Sequence, residues 1–518
     1  MTKTILSSHQ ALTPDLPLTM RHLSPRVTVV GDPMLDGWWR GTSNRMAREA
    51  PAPIVALDAR QYVPGGAANT AMNLAALGAR VRFVGLAGDD DAGRRLRDLL
   101  ASAGVNVDSL VLHPEVTTVT KTRIVVGDQV MVRLDDGQHG AFPADALSAL
   151  AHEAARAAHG AAAQVICDYG TGTLVGPVRE ALLSQRERPG FTIVDAHDPV
   201  PWAPLRPDLV TPNTEETARL LGCGLERESD RTETVGARAA DLLEATGAAN
   251  AVVTLDRDGT VLLGPGGILH RTWARPAADK QASGAGDTFV AAVTLGRACG
   301  LPLTTSVDLA QSAADVVVER FGTSVCSTGD LVGRLAEFAD SALEHDELVR
   351  QLEQERANGR RIVFTNGCFD VLHRGHTACL NQAKRLGDVL VVAINSDDCV
   401  RRLKGSSRPI NPASDRASVL AALSCVDYVT VFDTDTPVPL LERVRPDIYA
   451  KGGDYSADDL PEAEVVRRHG GQVRILEYLP SHSTTAVVRK IRGDVGREAQ
   501  VDGEPGPFAE PSRAMGSA

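Results

Sequence analysis

The chain has 518 residues, of which 43% are hydrophobic and 23% charged, so a wholly disordered, collagen-like or fibrous protein is excluded. Its 54 Lys and Arg against 66 Asp and Glu give a net charge of -12, which disfavours nucleic acid or an anionic membrane as the main partner. A phosphorylated small molecule stays compatible with this charge, because it needs only a local pocket of donors. The length predicts two to four domains.

The chain shows no secretory signal, no membrane-spanning apolar run and no C-x-x-C pair among its eight cysteines. These features predict a soluble, cytoplasmic protein with reduced cysteines and no structural zinc site. Residues 1–25 are polar and contain proline, and residues 494–518 are rich in Gly, Pro and Ser. Both ends are therefore predicted to be disordered.

Strand-like and helix-like segments alternate over residues 26–340, which predicts an α/β domain with a parallel sheet covered on both faces. The predicted strands are Val27–Val30, Val81–Val84, Val165–Cys167, Thr192–Val194 and Ala251–Leu255, and the helices include Ala67–Leu77, Asp91–Ala103 and Ala144–Ala158. Thr117–Val126 and Gln129–Leu134, joined by Gly127-Asp128, break this rhythm and predict a small β lid that offers a dimer contact.

A second α/β rhythm covers residues 361–493, with strands predicted at Ile362–Phe364, Val389–Ile394, Tyr428–Phe432, Ile448–Ala450 and Val473–Leu476. The charged helical pattern before it predicts a linker over residues 341–360. No internal repeat joins the two halves, so they are expected to be different domains.

In the first domain the sequence Ser-Gly-Ala-Gly-Asp-Thr at 283–288 directly precedes an apolar helix, Phe289–Leu295. Free N–H groups at such a helix start can hold a transferring phosphoryl group, and Asp287 lies where it can accept a proton from an attacking hydroxyl. The alternative is an ordinary Gly-rich helix entry with an acidic residue favoured by the helix dipole.

Other polar segments of this domain follow strands or open helices. Asp32 and Asp36 follow the first strand, where open α/β sheets bind ligands. Gly65 and Gly66 precede a helix that contains Asn69. Asn213 begins a helix after Thr211-Pro212, and for it alone a helix N-cap is the default interpretation.

Together these segments resemble the ribokinase-like (PfkB) family of sugar kinases over about residues 26–335. The resemblance implies a ribokinase-like sandwich that phosphorylates a sugar hydroxyl with ATP and Mg²⁺. Asp287 would be the catalytic base and Gly284, Ala285 and Gly286 the anion hole. ATP would be bound by Asn213, Thr214, Glu215, Glu216, Thr254 and Gly259, with Glu216 near the metal, and the sugar by Asp32, Asp36, Gly65, Gly66 and Asn69.

The chain departs from the family pattern at three positions. Gln281 stands where an Asp is usual, Asp256 replaces the inner glycine of a T-x-G-x-x-G turn, and His197 stands where a lysine follows Asp-Pro. His197 would replace that lysine only when protonated.

In the second domain Thr-Asn-Gly-Cys-Phe-Asp-Val-Leu-His-Arg-Gly-His at 365–376 lies between a strand and a helix predicted over Thr377–Leu386. His373 and His376 can face one pocket and stabilise phosphate charge as pyrophosphate leaves. A zinc site is the rival interpretation, but it needs a third ligand.

This stretch resembles the nucleotidyltransferase superfamily that carries an H-x-G-H motif in a Rossmann-like domain. The resemblance makes His373 and His376 the catalytic pair. It implies nucleotide binding by Thr365, Asn366, Gly367, Phe369, Asp370, Lys404, Lys451, Ser483, Thr484 and Thr485.

The order of the two domains is that of the family of bifunctional heptose enzymes, and the resemblance then covers about residues 26–492. It implies phosphorylation of heptose 7-phosphate at the anomeric hydroxyl and adenylyl transfer from ATP to heptose 1-phosphate, with a separate phosphatase acting between the two steps. Two alternatives stay open: the same folds acting on ribose, fructose, a nucleoside or another small phosphate, and a weakly active sugar- or nucleotide-binding regulator.

Overall fold

The computed structural model describes residues 12–137, 140–225, 231–274, 282–336, 342–405, 408–453 and 460–476. The chain divides into two compact units, one over Pro14–Val332 and the other from Gly333 onward. Among the helices described, none is long and apolar enough to cross a bilayer.

The first unit is built on a nine-stranded sheet in the order β13-β12-β11-β10-β9-β8-β1-β4-β5. In this order the seven neighbouring strands from β11 to β5 pair in parallel, and β12 and β13 add an antiparallel edge. The strands of this sheet are β1 (Arg26–Gly31), β4 (Arg80–Gly88), β5 (Asn106–His113), β8 (Ala163–Asp168), β9 (Thr192–Ala196), β10 (Leu209–Val210), β11 (Ala251–Thr254), β12 (Thr260–Gly264) and β13 (Gly267–Thr272).

Amphipathic helices cover this sheet, and their apolar faces pack with the β-branched strand residues into a buried core. The helices are α1 (Leu16–Leu23), α2 (Ala67–Ala76), α3 (Asp91–Ser102), α4 (Ala144–Ala155), α5 (Pro177–Leu183), α6 (Thr214–Leu221), α7 (Arg231–Ala237), α8 (Ala239–Thr246), α9 (Ala285–Ala298), α10 (Leu303–Val318) and α11 (Thr328–Ala336). A two-stranded sheet joins β14 (Ala282–Ser283) to β15 (Gly322–Thr323). The predicted α/β class and the five predicted strands are confirmed, with shifts at their ends.

The lid is a four-stranded sheet in the order β3-β2-β6-β7. The predicted hairpin is present as β6 (Thr120–Val126) and β7 (Gln129–Asp136), but two longer strands, β2 (Pro33–Met46) and β3 (Pro53–Gly66), were not predicted. Their alternation of apolar and polar residues is interrupted by register shifts between Arg40 and Gly41 and between Thr42 and Arg45. At each shift the side chains exchange faces, so the alternation of apolar and polar residues along the sequence is lost.

The prediction of a disordered segment over residues 1–25 is wrong for its second half. Helix α1 occupies Leu16–Leu23, and its Leu16 and Met20 are buried. The helix has only 8 residues, about two turns, so its apolar face was short in the sequence.

The second unit has a five-stranded parallel sheet in the order β18-β17-β16-β19-β20. Its strands are β16 (Ile362–Gly367), β17 (Val389–Asn395), β18 (Tyr428–Phe432), β19 (Ile448–Gly452) and β20 (Gln472–Leu476). Its helices are α12 (His345–Ala357), α13 (Arg374–Lys384), α14 (Asp397–Lys404), α15 (Ala413–Ala421), α16 (Val438–Val444) and α17 (Ala463–Arg468). The predicted Rossmann-like arrangement is confirmed.

The predicted helical linker over residues 341–360 is not a linker. Leu348 and Leu352 of α12 are fully buried in the core of the second unit, together with Ile362 and Phe364 of β16. Helix α12 is therefore a structural part of the nucleotidyltransferase-like unit, and its charged residues cover the outer face of a buried apolar stripe.

We expect Leu352→Ala to destabilise the second unit by about 2–5 kcal/mol, the usual loss when a buried leucine leaves a cavity. Thermal unfolding of the full chain should show a lower transition temperature for this unit alone. Leu18→Ala, at an exposed leucine of α1, is the control and should leave both transition temperatures unchanged. An unchanged transition temperature in the Leu352 variant would show that α12 is not part of this core and would support the linker interpretation.

Candidate active sites

The first candidate site lies at the carboxyl edge of the nine-stranded sheet. Parallel strands β1, β8 and β9 end side by side there, because Gly31 is paired with Cys167 and Asp168 with Ala196. Open α/β sheets bind their ligands at this edge. Helix α9 begins nearby, and Asp287 stands in its first turn.

The Asp287 carboxylate is held by two donors from different elements. Asn69 of α2 donates from Nδ2 to Oδ2 at 2.8 Å, and the Tyr169 hydroxyl lies 2.9 Å from Oδ1. Removal from water raises the pKa of Asp287 to about 7, with the neighbouring charges of Asp195 and Asp36 acting in the same direction and the two hydrogen bonds opposing it. Near neutral pH this carboxylate is therefore poised to take up a proton.

The three residues before Asp287 form the start of α9. Gly284 is the N-cap at φ +91°, and a Cβ there would lie 2.4 Å from Nδ2 of Asn69. Glycine is therefore required both for the left-handed conformation and for the approach of Asn69. Ala285 and Gly286 occupy the first turn, where backbone N–H groups have no acceptor within the helix. This backbone is compatible with an anion hole formed by Gly284, Ala285 and Gly286, which stays a prediction.

Asp32 contacts protein donors with both carboxylate oxygens. It accepts from the backbone N–H of Tyr169 at 2.9 Å and from the Thr171 hydroxyl at 2.5 Å, and the Thr173 hydroxyl binds it too. Asp32 is 1% exposed. Its observed role is to shape the loop after β8, and sugar binding by Asp32 stays a prediction.

Asp36 lies in lid strand β2, and its carboxylate is also bound by protein donors. Its Oδ1 is 3.2 Å from the Arg123 guanidinium, and its Oδ2 accepts from the Thr323 hydroxyl at 2.9 Å. Thr323 also accepts from Trp38 Nε1, so these residues join the lid to strand β15. Sugar binding by Asp36 also stays a prediction.

The glycine pair before α2 approaches Asp36 and Asp32 closely. A Cβ at Gly65 would lie 2.8 Å from Oδ2 of Asp36, and one at Gly66, at φ +58°, would lie 2.9 Å from the carbonyl oxygen of Asp32. The pair therefore lets β3 turn into α2 beside the site, which brings Asn69 to Asp287.

The predicted ATP residues lie where α6 follows β10 and beside the end of β11. Asn213 and Glu216 form a capping box, and Glu216 also lies 2.7 Å from Nδ1 of His197. Thr214 donates to the carbonyl oxygen of Thr254 at 3.1 Å. The default N-cap interpretation of Asn213 is thus confirmed, while Glu215 is exposed beside it.

Glu216 is a poor candidate for direct metal binding. Its Oε1 contacts His197 and its Oε2 accepts from the Asn213 backbone N–H at 2.9 Å, so both oxygens are occupied. In the part of the chain that the structure describes, no group of three His, Cys, Asp or Glu side chains is arranged to hold a metal ion.

Two of the three departures from the family pattern have a visible structural context. Asp256 adopts φ +53°, the left-handed region that glycine favours and that Asp tolerates, and Arg231 pairs with it and with Asp258. Gly259 of the same turn has φ +82° and has no room for a Cβ beside Thr272. Gln281 lies outside the described residues.

The hydrogen bond to Glu216 raises the pKa of His197, which favours the charged imidazolium beside the site. The direction of this shift is the one that replacement of the family's lysine by His197 would require. Tyr169, Asp195 and Arg231 were not singled out from the sequence. Tyr169 follows strand β8 directly and Asp195 lies at the end of β9, so the strand-end rule that selected Asp32 could have found both.

The second candidate site lies at the carboxyl end of β16 in the other unit. Thr365, Asn366 and Gly367 are the last residues of this strand. His373 is the N-cap of α13 and His376 lies in its first turn, so the helix starts before the predicted Thr377.

The two histidine rings stack with centroids 3.9 Å apart, and the Phe369 ring lies 5.2 Å from His376. His373 is 5% and His376 1% exposed. Burial, followed by the charges of His373 and Lys404, holds the pKa of His376 well below its usual range. The lowered pKa favours the neutral form of His376, in which one ring nitrogen carries an N–H donor.

Asn366 and Lys451 belong to one buried polar cluster between β16 and β19. The Asn366 side-chain oxygen accepts from the Tyr449 hydroxyl at 2.7 Å and from Lys451 Nζ at 3.3 Å. Lys451 Nζ is also 3.7 Å from Glu462, and both side chains are 3% exposed. Lys451 therefore has a buried counter-charge, and its contact with a nucleotide stays a prediction.

Asp370 organises the loop after α14. It pairs with Arg408 at 2.5 Å and accepts from the backbone N–H of Ile410 at 2.6 Å and of Asn411 at 3.1 Å. Nucleotide binding by its carboxylate is not evident in this arrangement. Buried Arg416, which was not predicted, ties the carbonyl oxygen of Cys368 to Asp397.

The other residues predicted to bind the nucleotide lie in different surroundings. Thr365 Oγ1 is buried and meets no hydrogen-bond partner within the described residues, which suits a ligand contact. Lys404 is exposed at the end of α14, close enough to influence His376. Ser483, Thr484 and Thr485 lie outside the described residues.

Comparison with known proteins matches both units. Residues 26–151 and 189–329 match the pfkB family of carbohydrate kinases, and residues 364–490 match the cytidylyltransferase-like family. The chain is 38% identical over 478 residues to the bifunctional protein HldE of Alcanivorax borkumensis and 40% identical over 470 residues to that of Azotobacter vinelandii. Each match covers 90% of this chain and 97% of the relative.

A solved structure of phosphofructokinase-2 from Escherichia coli, in complex with substrates and products, aligns with 60% of this chain and 98% of its own. The TM-score is 0.50 and the sequence identity 21%, which shows a shared fold. The ribokinase-like architecture predicted for the first domain is thus confirmed.

Proposed function

This chain belongs to the family of bifunctional HldE proteins and joins a carbohydrate kinase to a nucleotidyltransferase, and from this premise we propose that it catalyses two steps of ADP-heptose synthesis. The first unit phosphorylates heptose 7-phosphate at its anomeric hydroxyl to the 1,7-bisphosphate. A separate phosphatase removes the 7-phosphate. The second unit transfers an adenylyl group from ATP to heptose 1-phosphate and releases pyrophosphate.

For the kinase unit the proposal is carried by Asp287. Its carboxylate has a pKa raised to about 7 and stands in the first turn of a helix whose N-terminus faces the carboxyl edge of the sheet. Asp287 would take the proton from the anomeric hydroxyl as that oxygen attacks the γ-phosphorus of ATP. The N–H groups from Gly284 to Gly286 would hold the transferring phosphoryl group as its charge spreads.

For the second unit the attacking group is a sugar phosphate, which is already an anion, so a strong base is not needed. The obstacle is the approach of two anions and the charge that develops on the departing pyrophosphate. Neutral His376, stacked on His373 at the start of α13, can donate its one N–H group to one of these oxygens, and Lys404 adds positive charge.

ATP is the phosphoryl and adenylyl donor of the two units, and we infer that Mg²⁺ accompanies it. Because both oxygens of Glu216 are occupied by Asn213 and His197, the ion would be carried mainly by the nucleotide phosphates. Mg²⁺ would neutralise phosphate charge in both reactions. Dependence on ATP in both halves favours a cytoplasmic location.

The lid supports a homodimer. Met131, Val132 and Leu134 on its edge strand β7 are 40%, 44% and 48% exposed, and Met46 and Ile54 of the same sheet are exposed as well. Exposed apolar residues on an edge strand favour pairing with a second copy. We propose that two lids associate.

Asp287→Ala should reduce kinase turnover at least about 10²-fold, since the proton acceptor is removed, and leave adenylyl transfer unchanged. The two half-reactions can be followed separately by mass spectrometry with ATP and either heptose 7-phosphate or heptose 1-phosphate. Asp241→Ala, at a carboxylate on the surface of α8, is the matched control. Undiminished kinase activity in the Asp287 variant would remove it from its role, and turnover of ribose or fructose in preference to the heptose would overturn the substrate assignment.

His376→Ala should slow adenylyl transfer by about 10²-fold or more, the scale of losing one preorganised donor to a developing anion, with the kinase unaffected. His469→Ala, at an exposed histidine of the same unit, serves as the control. A loss of less than a few-fold in the His376 variant would assign that ring a structural role.

Leu134→Asp should convert the dimer into a monomer, because it places a charge in the apolar contact. The measurement is molar mass by light scattering during gel filtration, with Leu18→Asp, at an exposed leucine of α1, as the control. A monomeric unmodified protein, or a Leu134 variant that stays dimeric, would exclude the lid contact.

A further inference from the structure

The Tyr169 hydroxyl lies between two carboxylates of the kinase site. It is 2.8 Å from Oδ2 of Asp195 and 2.9 Å from Oδ1 of Asp287. The backbone fixes this position, because the N–H of Tyr169 is bound by buried Asp32 at the end of β1. One phenol thus connects the end of β9 to the first turn of α9.

The two contacts require more than one proton. A tyrosine hydroxyl has a single hydrogen and can donate to only one carboxylate at a time. At 2.8 and 2.9 Å the other contact would bring two acceptor oxygens together unless a carboxyl group supplies a second hydrogen. Both contacts are therefore satisfied once Asp195 and Asp287 have taken up one proton between them, so a pair that starts fully ionised gains a hydrogen bond when it accepts the proton of the sugar.

We propose that Tyr169 and Asp195 act with Asp287 as one proton-accepting unit, in which Tyr169 passes the proton that Asp287 takes from the sugar on to Asp195. Tyr169 and Asp195 are positioning residues in this scheme, and the proposal rests on the proposed role of Asp287 as the base. Neither residue has been given a role by the family comparison above.

The step balances without any further reactant. The sugar O–H bond breaks as its oxygen bonds to phosphorus, ADP leaves with the electron pair of the broken P–O bond, and the proton goes to Asp287. Asp287 then gives this proton to the Tyr169 oxygen, while the Tyr169 hydrogen moves to Oδ2 of Asp195. Asp287 is ionised again, and the proton stays within the site on Asp195.

The surroundings of both carboxylates fit such a transfer. Asp195 accepts a hydrogen bond at its other oxygen from Thr211 at 2.8 Å, and its pKa is raised by burial. The groups that face the pair and influence its charge are Asn69, Asp36 and the Cys167 thiol on the Asp287 side, and Glu216 and His197 on the Asp195 side.

The test uses the pH profile of the kinase half-reaction of the full-length protein. Activity should fall as pH drops through about 7, because Asp287 becomes protonated before substrate binds. Tyr169→Phe removes a donor to the Asp287 carboxylate, so this acid limb should move to higher pH by about one unit. Asp195→Asn removes a neighbouring negative charge, so the limb should move to lower pH by a similar amount, about one unit.

The double variant measures whether Asp195 acts through the tyrosine. In the Tyr169→Phe background the shift caused by Asp195→Asn should fall to less than half its size in the unmodified protein. Tyr62→Phe, the same chemical change on lid strand β3, is the control and should not move the limb. Thermal unfolding and the KM values for ATP and sugar report whether the kinase unit of each variant is intact.

A merely structural role would lower kcat and leave the acid limb in place, and that result would overturn the proposal. Shifts of the two single variants in the same direction, or fully additive shifts in the double variant, would overturn it as well. If Asp287→Ala itself stays active, the proposed function of Asp287 has failed. If Asp287→Ala is inactive and only the shifts are missing, the relay alone has failed.

Discussion

The contact between Asn69 and Asp287 is the interaction on which the kinase site depends. A carboxylate in the first turn of a helix that must bind a phosphoryl anion would repel its own ligand if it were free. Asn69 holds Asp287 at 2.8 Å, and the lack of a side chain at Gly284 makes this approach possible. Helices α2 and α9 are thereby joined at the start of α9, where the anion hole is proposed.

The second unit meets the same electrostatic problem with neutral groups. Burial keeps His376 uncharged beside His373, and the cation Lys451 is compensated by Glu462 inside the domain. In the proposed site the positive charge for a nucleotide would therefore come from Lys404 and from the N-terminus of α13. In the proposed reactions the first unit adjusts the pKa of a carboxylate that accepts a proton, whereas the second unit provides hydrogen-bond donors for two anions. This difference follows from the nucleophiles, a sugar hydroxyl in one case and a phosphate in the other.

The sequence was sufficient for the features that depend on local pattern. The alternation of strands and helices predicted the two main sheets, and glycines before a helix located the start of α9, where Asp287 stands. The long lid strands escaped prediction because their register shifts at Arg40 and Thr42 interrupt the alternation. Helix α12 was interpreted as a linker because its charges conceal that Leu348 and Leu352 are buried. Such burial depends on tertiary packing, which a single sequence does not state.

The acidic residues that follow the strands show why position alone does not assign a ligand. Asp32, Asp36 and Asp370 all stand where such folds bind substrates, yet each carboxylate is already bound by protein donors. A buried carboxylate must be paired, so an acidic residue at a strand end often shapes the loop that binds the ligand instead. Asp287 differs, because burial raises its pKa to about 7 against the effect of its two hydrogen bonds, and Tyr169 connects it to a second carboxylate. A group that is held in place but can still change its protonation is suited to chemistry, whereas a group saturated with fixed donors is suited to architecture.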